Sequence, residues 1–164
     1  MAVLVLAGDQ VSKSLVLAAR PSPSDGAVSV RLVRNTGASF GLGAGHPLVV
    51  VLTAVAVVAI VAALLARTRS RAAALCLAAV LGGALGNLAD RLFRAPGLGR
   101  GAVVDWIHVS FYPATFNLAD LAIRIGAIGA VVAMLDIRVR GASWRARRSP
   151  APDSLTARDK QADA

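Results

Sequence analysis

The sequence predicts an all-α membrane protein: four transmembrane helices with a small extracytoplasmic β-element. Three observations carry that expectation. Of the 164 residues, 56% are hydrophobic and only 16% are charged, whereas a soluble domain carries about a quarter charged residues. The apolar residues come in unbroken blocks rather than in amphipathic turns. The basic residues behind the net charge of +9 cluster beside those blocks, as topology determinants do. No nucleic-acid partner is therefore expected.

The first span is expected at about 1–19, interrupted by Asp9 and Lys13. Crossing a core of about 30 Å takes roughly twenty residues at about 1.5 Å each. Only eight residues precede Asp9, so this span is expected to be unusually short or to lack part of its N-terminus. It reads as a span rather than a secretory signal, whose small-residue cleavage site would lead into a soluble domain. Residues 20–46 are polar and punctuated. "RPSPSDGA" is turn chemistry, with Ser24-Asp25-Gly26 suited to a tight turn. "VSVRLV" alternates Val28, Val30 and Leu32 with Ser29 and Arg31, as a short half-buried strand does. "RNTGASFGLGAG" is too rich in glycine for a regular helix.

A second span is expected at about 47–66, opening with Pro47 at a plausible first helical position. "RTRSR" makes a tight connection to a third span, about 72–89, which ends in "GGALGNLADR". Residues 91–115 read as a second irregular connection holding "GAVVDWIHVSFYP", and the fourth span as about 117–139. Residues 1–140 thus form one four-span domain. Residues 141–164 are expected to be a basic, disordered cytoplasmic tail. No internal repeat or heptad is visible.

Orientation follows from arginine density. The connection 67–71 holds three arginines and the segment 138–148 holds five, while the two longer connections together hold six. The positive-inside rule places the dense segments in the cytoplasm and the two longer connections outside. With this topology the polar residues gather at one depth. Asn87, Asp90 and Arg91 close the third span, Asn117 and Asp120 open the fourth, and Asp105 lies between them in "VVDWI".

Several of these residues have a purely structural reading. Asp90-Arg91 suits a helix end at the headgroups, and Asn117 suits the N-cap of the fourth helix. Asp9 and Lys13, four apart, suit an intrahelical ion pair, and so do Asp120 and Arg124. His46 and His108 have no metal-ligand spacing, and Trp106 and Tyr112 fit the interfacial aromatic belt. Cys76 reads as a small core residue. Asp105 together with Asp120 fits none of these readings. Two apolar-flanked carboxylates reachable from one surface are the ingredients of a shared-proton dyad, in which like charges cannot both ionise. One carboxylate then takes a proton from water while the other, protonated, polarises a carbonyl.

"GDQVSK" at 8–13, "RNTGASFG" at 34–41, "GGALGNLADR" at 82–91, "GAVVDWI" at 101–107 and "FNLADLAI" at 116–123 follow one another across the four spans. In that order they closely resemble the lipoprotein signal peptidases (signal peptidase II), a bacterial family of membrane aspartic proteases. The resemblance runs from Asp9 to about Arg140 and implies a catalytic pair at Asp105 and Asp120. It implies substrate-contacting or supporting roles for Asn35, Asn87, Arg91 and Asn117, and mainly structural roles for Asp9, Lys13 and Asp90. The implied substrate is a diacylglyceryl-prolipoprotein, cut just before its lipidated cysteine, in the bacterial cytoplasmic membrane near the extracytoplasmic face. Membrane lipid is the other implied partner, and a monomer with neither metal nor cofactor is expected. Arg124 departs from the family's pattern, and pairing with Asp120 would shift the shared proton toward Asp105. The alternative reading is a small transporter or proton-conducting subunit, since intramembrane acids also mark ion pathways. Such sites sit near the midplane between inverted repeats, and neither feature is seen here.

Overall fold

The computed structural model describes residues 1–22, 26–37 and 45–148. Its elements run α1 (Ala2–Ala19), β1 (Val28–Asn35), α2 (Pro47–Arg67), α3 (Arg71–Phe93), β2 (Val103–Val109) and α4 (Leu118–Arg148). All four helices are long and apolar enough to cross a membrane. Their starts and stops have local causes. Pro47 opens α2, where its missing N–H goes unused. The Ser70 hydroxyl caps α3 by accepting the Ala73 N–H at 3.3 Å. Arg20 ends α1 in the left-handed region (φ 43°), its N–H returning to the Val16 carbonyl.

Helix α3 is central, with α1, α2 and α4 packed on it. Glycines allow the approach. A Cβ on Gly83 would meet the Ala119 carbonyl of α4 at 2.5 Å, and one on Gly86 would meet the Asp9 carboxylate at the same distance. A small apolar core of Val61, Leu77, Val80 and Ala130 holds α2, α3 and α4 together, and Cys76 packs against it. Large apolar side chains elsewhere, including Leu4, Leu52, Ile60, Ile128 and Val132, lie exposed on the outer helix faces, the surface a bilayer would cover.

Three expectations change. Residues 91–115 contain strand β2, which pairs antiparallel with β1 through Val28↔Val109, Val30↔Ile107, Val33↔Asp105 and Asn35↔Val103, with an irregularity between Val30 and Val33. After β2 the chain folds back, and Ile107 and Phe116 exchange backbone hydrogen bonds. Helix α3 runs past Asp90-Arg91 to Phe93, so these two charges are buried within a helix rather than marking its end at the surface. Helix α4 continues to Arg148, so the first residues of the expected tail are helical. The turn residues Ser24 and Asp25 and most of the glycine-rich "GASFGLGAG" lie outside the described residues.

Candidate active site

Asp105 sits at the middle of β2, 2% exposed, and Asn35 at the end of β1 points to the same sheet face. The Asn35 Nδ2 donates to Asp105 Oδ2 at 3.1 Å. Asp120 lies in the first turn of α4, just after Asn117. The Asn117 Oδ1 accepts the Asp120 N–H at 2.9 Å, so Asn117 caps the helix as its position predicts. Its Nδ2 donates to Asp105 Oδ1 at 2.6 Å and to Asn87 Oδ1 at 3.2 Å. One buried amide therefore starts α4 and holds the carboxylate of β2.

Asn87 on α3 completes the connection. Its Nδ2 donates to Asp120 Oδ1 at 2.8 Å, while its Oδ1 accepts from Lys13 Nζ at 3.0 Å as well as from Asn117. With two donors on its oxygen, the Asn87 amide nitrogen must face Asp120. The two aspartates are thus linked as Asp105, Asn117, Asn87, Asp120. Arg91, one turn further along α3, donates to the Asn87 carbonyl at 3.1 Å and to the Gly37 carbonyl at 2.7 Å. It ties the end of β1 to the helix.

Both carboxylates open onto a cavity of about 790 Å³. Its floor includes Asn35, Asn87 and Arg91, and its walls include Thr53 and Val57 of α2 and Ile123 of α4. Burial pushes the Asp105 carboxyl up to about 6, and the negative charge of Asp120 adds to the effect. The hydrogen bonds from Asn35 and Asn117 favour the ionised form and work against it. Unlike electrostatic environments around paired acids are what general acid–base chemistry requires.

A second polar cluster lies behind the first. Lys13 Nζ contacts Asp9 Oδ2 at 2.7 Å and Asp90 Oδ2 at 2.9 Å, and all three side chains are fully buried. Asp9 Oδ1 accepts the Ala119 N–H at 3.0 Å, and Asp90 Oδ2 accepts the Val104 N–H at 3.2 Å. Each acid thus grips the residue immediately before a candidate catalytic aspartate. Two further side chains belong here that the sequence reading passed over. Arg94 Nε meets Asp90 Oδ1 at 2.6 Å, an i,i+4 spacing that sequence alone could have flagged. Gln10 donates to Asp90 Oδ1 and to the Gly86 carbonyl, both at 3.0 Å.

Arg124 does not pair with Asp120. Its guanidinium lies over the rings of Tyr112 and Phe116 instead, 5.5 Å from each centroid. The fold-back after β2 supplies those rings, and cation–π stacking is favourable at such distances. No group of three or more His, Cys, Asp or Glu among the described residues is arranged to hold a metal ion.

A family model described as signal peptidase (SPase) II matches residues 1–136. The chain belongs to the signal peptidase II family. The lipoprotein signal peptidase of Rhodococcus jostii is 47% identical over 140 residues, covering 82% of this chain and 70% of that protein. That of Mycobacterium avium is 43% identical over 137 residues, 80% of this chain and 75% of its own length. For Streptomyces coelicolor the identity is again 47%, but over 100 residues, so this chain spans about half of that relative (48%). Two solved structures of bacterial membrane enzymes share the fold, with TM-scores of 0.70 and 0.69 at 22% and 24% identity. They cover 93% and 82% of this signal peptidase II family member, and 92% and 89% of their own chains.

Proposed function

We propose that this signal peptidase II family member is a membrane aspartic endopeptidase that removes signal peptides from diacylglyceryl-modified prolipoproteins. It cleaves just before the lipidated cysteine. The observation that carries this reading is the linked pair of Asp105 and Asp120, which come from different elements and open onto one cavity walled by membrane helices. Its likeness to lipoprotein signal peptidases supports the substrate class.

In the resting dyad Asp105 holds the shared proton, in keeping with its raised pKa. The Asp120 carboxylate takes a proton from water as the water oxygen attacks the scissile carbonyl carbon. Asp105 donates to the carbonyl oxygen as charge develops there. As the tetrahedral intermediate collapses and its C–N bond breaks, Asp120 passes the water proton to the departing amine and Asp105 takes its proton back from the gem-diol hydroxyl. The amine becomes the N-terminus of the lipidated cysteine. Asn87 and Asn117 keep the two carboxyls at working distance, Asn35 supports Asp105, and Arg91 supports Asn87 and the end of β1. Asp9, Lys13 and Asp90 act structurally, as the clamp behind the site.

The protein works as a monomer in the bacterial cytoplasmic membrane, its site near the extracytoplasmic face, with prolipoprotein substrates and membrane lipid as partners. The arginine-dense segments on the opposite side support that orientation. Purified protein is the test, given a prolipoprotein with and without its diacylglyceryl group at equal density in one detergent. Each buried CH₂ adds about 0.8 kcal/mol of membrane retention, and such remote binding energy can position the scissile bond. Cleavage of the lipidated form alone is the expected result. No cleavage of either would overturn the activity, and equal rates would overturn the lipid specificity.

A further inference from the structure

We infer that Arg124 binds substrate by donating hydrogen bonds to carbonyl oxygens, those of the diacylglyceryl esters or of the signal-peptide backbone. This inference rests on the peptidase reading. Arg124 lies one helical turn beyond Asp120, about 6 Å further along α4, and lines the same cavity as the two aspartates. In the proposed orientation that is one turn deeper in the membrane, where substrate chains continue away from the scissile bond.

Three features favour a substrate role. First, among the described residues no carboxylate lies within ion-pair distance of its guanidinium, and no group accepts a hydrogen bond from it. A cation beside apolar walls without a counter-ion is an unusual expense for a membrane helix. Second, the Tyr112 and Phe116 rings, set edge to face with 6.1 Å between centroids, hold the guanidinium by cation–π contact, 5.5 Å from each centroid. Such contact satisfies the charge without supplying an oxygen acceptor, so the guanidinium N–H groups remain a fork of donors. Third, Val57, Ala84 and Ile123 line the cavity beside its charged groups, so a chain bound there enters a partly apolar surround. A neutral oxygen set in an apolar chain suits such a mixed lining. Ester and peptide carbonyls have that chemistry.

The test compares the full-length protein with Arg124→Met and Arg124→Lys on two lipidated substrates, one with ester-linked chains and one with ether-linked chains. Arg124→Met is expected to raise KM about tenfold on the ester substrate, the size of one charged hydrogen bond, with kcat within about twofold. Unchanged kcat also reports an intact fold. Arg124→Lys keeps a donor without the planar fork and should recover part of the loss. If the tenfold effect vanishes on the ether substrate, the contact is with the lipid esters. If it persists there, the contact is with the peptide backbone. A KM that ignores Arg124 on both substrates would overturn the inference while leaving the peptidase reading intact, as would a collapse of kcat at unchanged KM. No cleavage by the wild type would overturn both.

Discussion

Asn35→Ala tests the proton assignment at the dyad. The Asn35 amide donates to Asp105 at 3.1 Å and favours the ionised carboxylate. A hydrogen bond to a charged group is worth about 1.5–3 kcal/mol, and about 1.4 kcal/mol corresponds to one pKa unit. The 2.6 Å bond from Asn117 remains in the variant, so the lower end of that range applies. Removing Asn35 withdraws support from the charged form, so the Asp105 pKa rises, from about 6 by about one unit. If the active dyad carries its proton on Asp105, activity is lost as pH climbs through that value, and the variant keeps its proton to higher pH. The alkaline limb of kcat/KM should therefore move up by about one unit, the limb being a property of the coupled pair. The assay is cleavage of a lipidated substrate from mildly acid to mildly alkaline buffer. Asn35 also accepts the Gly37 N–H at 3.0 Å, so KM will rise as that turn loosens, without moving the limb. A limb that stays in place, or moves toward acid, would refute the assignment.

Asp105→Asn and Asp120→Asn should each lower cleavage by about 10³-fold or more, since neither amide can exchange the proton; near-normal turnover by either, at normal abundance, would sink the dyad. Lys13→Met leaves Asp9 and Asp90 buried without their shared cation and should cost about 3–5 kcal/mol, read as a large drop in the detergent unfolding midpoint. An unmoved midpoint would show that the cluster does not hold the helices. A cysteine at Ser70, in the arginine-rich connection, should react with a membrane-impermeant thiol reagent only after the cytoplasmic side is opened. Labelling of intact cells would reverse the topology.

The spans were legible because a length of apolar chain has few other uses, and the positions of α1, α2, α3 and α4 follow the blocks closely. What failed was local reading where the deciding partner is remote. Asp90 and Arg91 looked like a helix end, yet α3 continues, and Arg94 one turn on and the remote Lys13 of α1 both neutralise Asp90. Strand β2 alternates Val103, Asp105, Ile107 and Val109 on one face, but the acid broke the apolar pattern and its pairing strand lies far upstream. Arg124 sat at ion-pair spacing from Asp120, and only the fold-back carrying Tyr112 and Phe116 shows why it turns away. The candidate site residues were nameable from the ordered motifs. Their linkage through two asparagine amides is a property of the fold.

The clamp behind the site has a bearing on biogenesis. Helices enter a bilayer in chain order, so Lys13 and Asp9 first cross with only each other for company. The second acid, Asp90, comes with α3, and the N–H groups that the two acids grip, at Val104 and Ala119, come later still. A ribosome-bound chain halted before α4 holds one of the two candidate catalytic acids, with neither Asn117 nor the far wall of the cavity. Hydrolytic competence would then arrive in one step, with the last helix, and an unfinished peptidase would pass through the insertion machinery inert among the signal peptides it is later to cut.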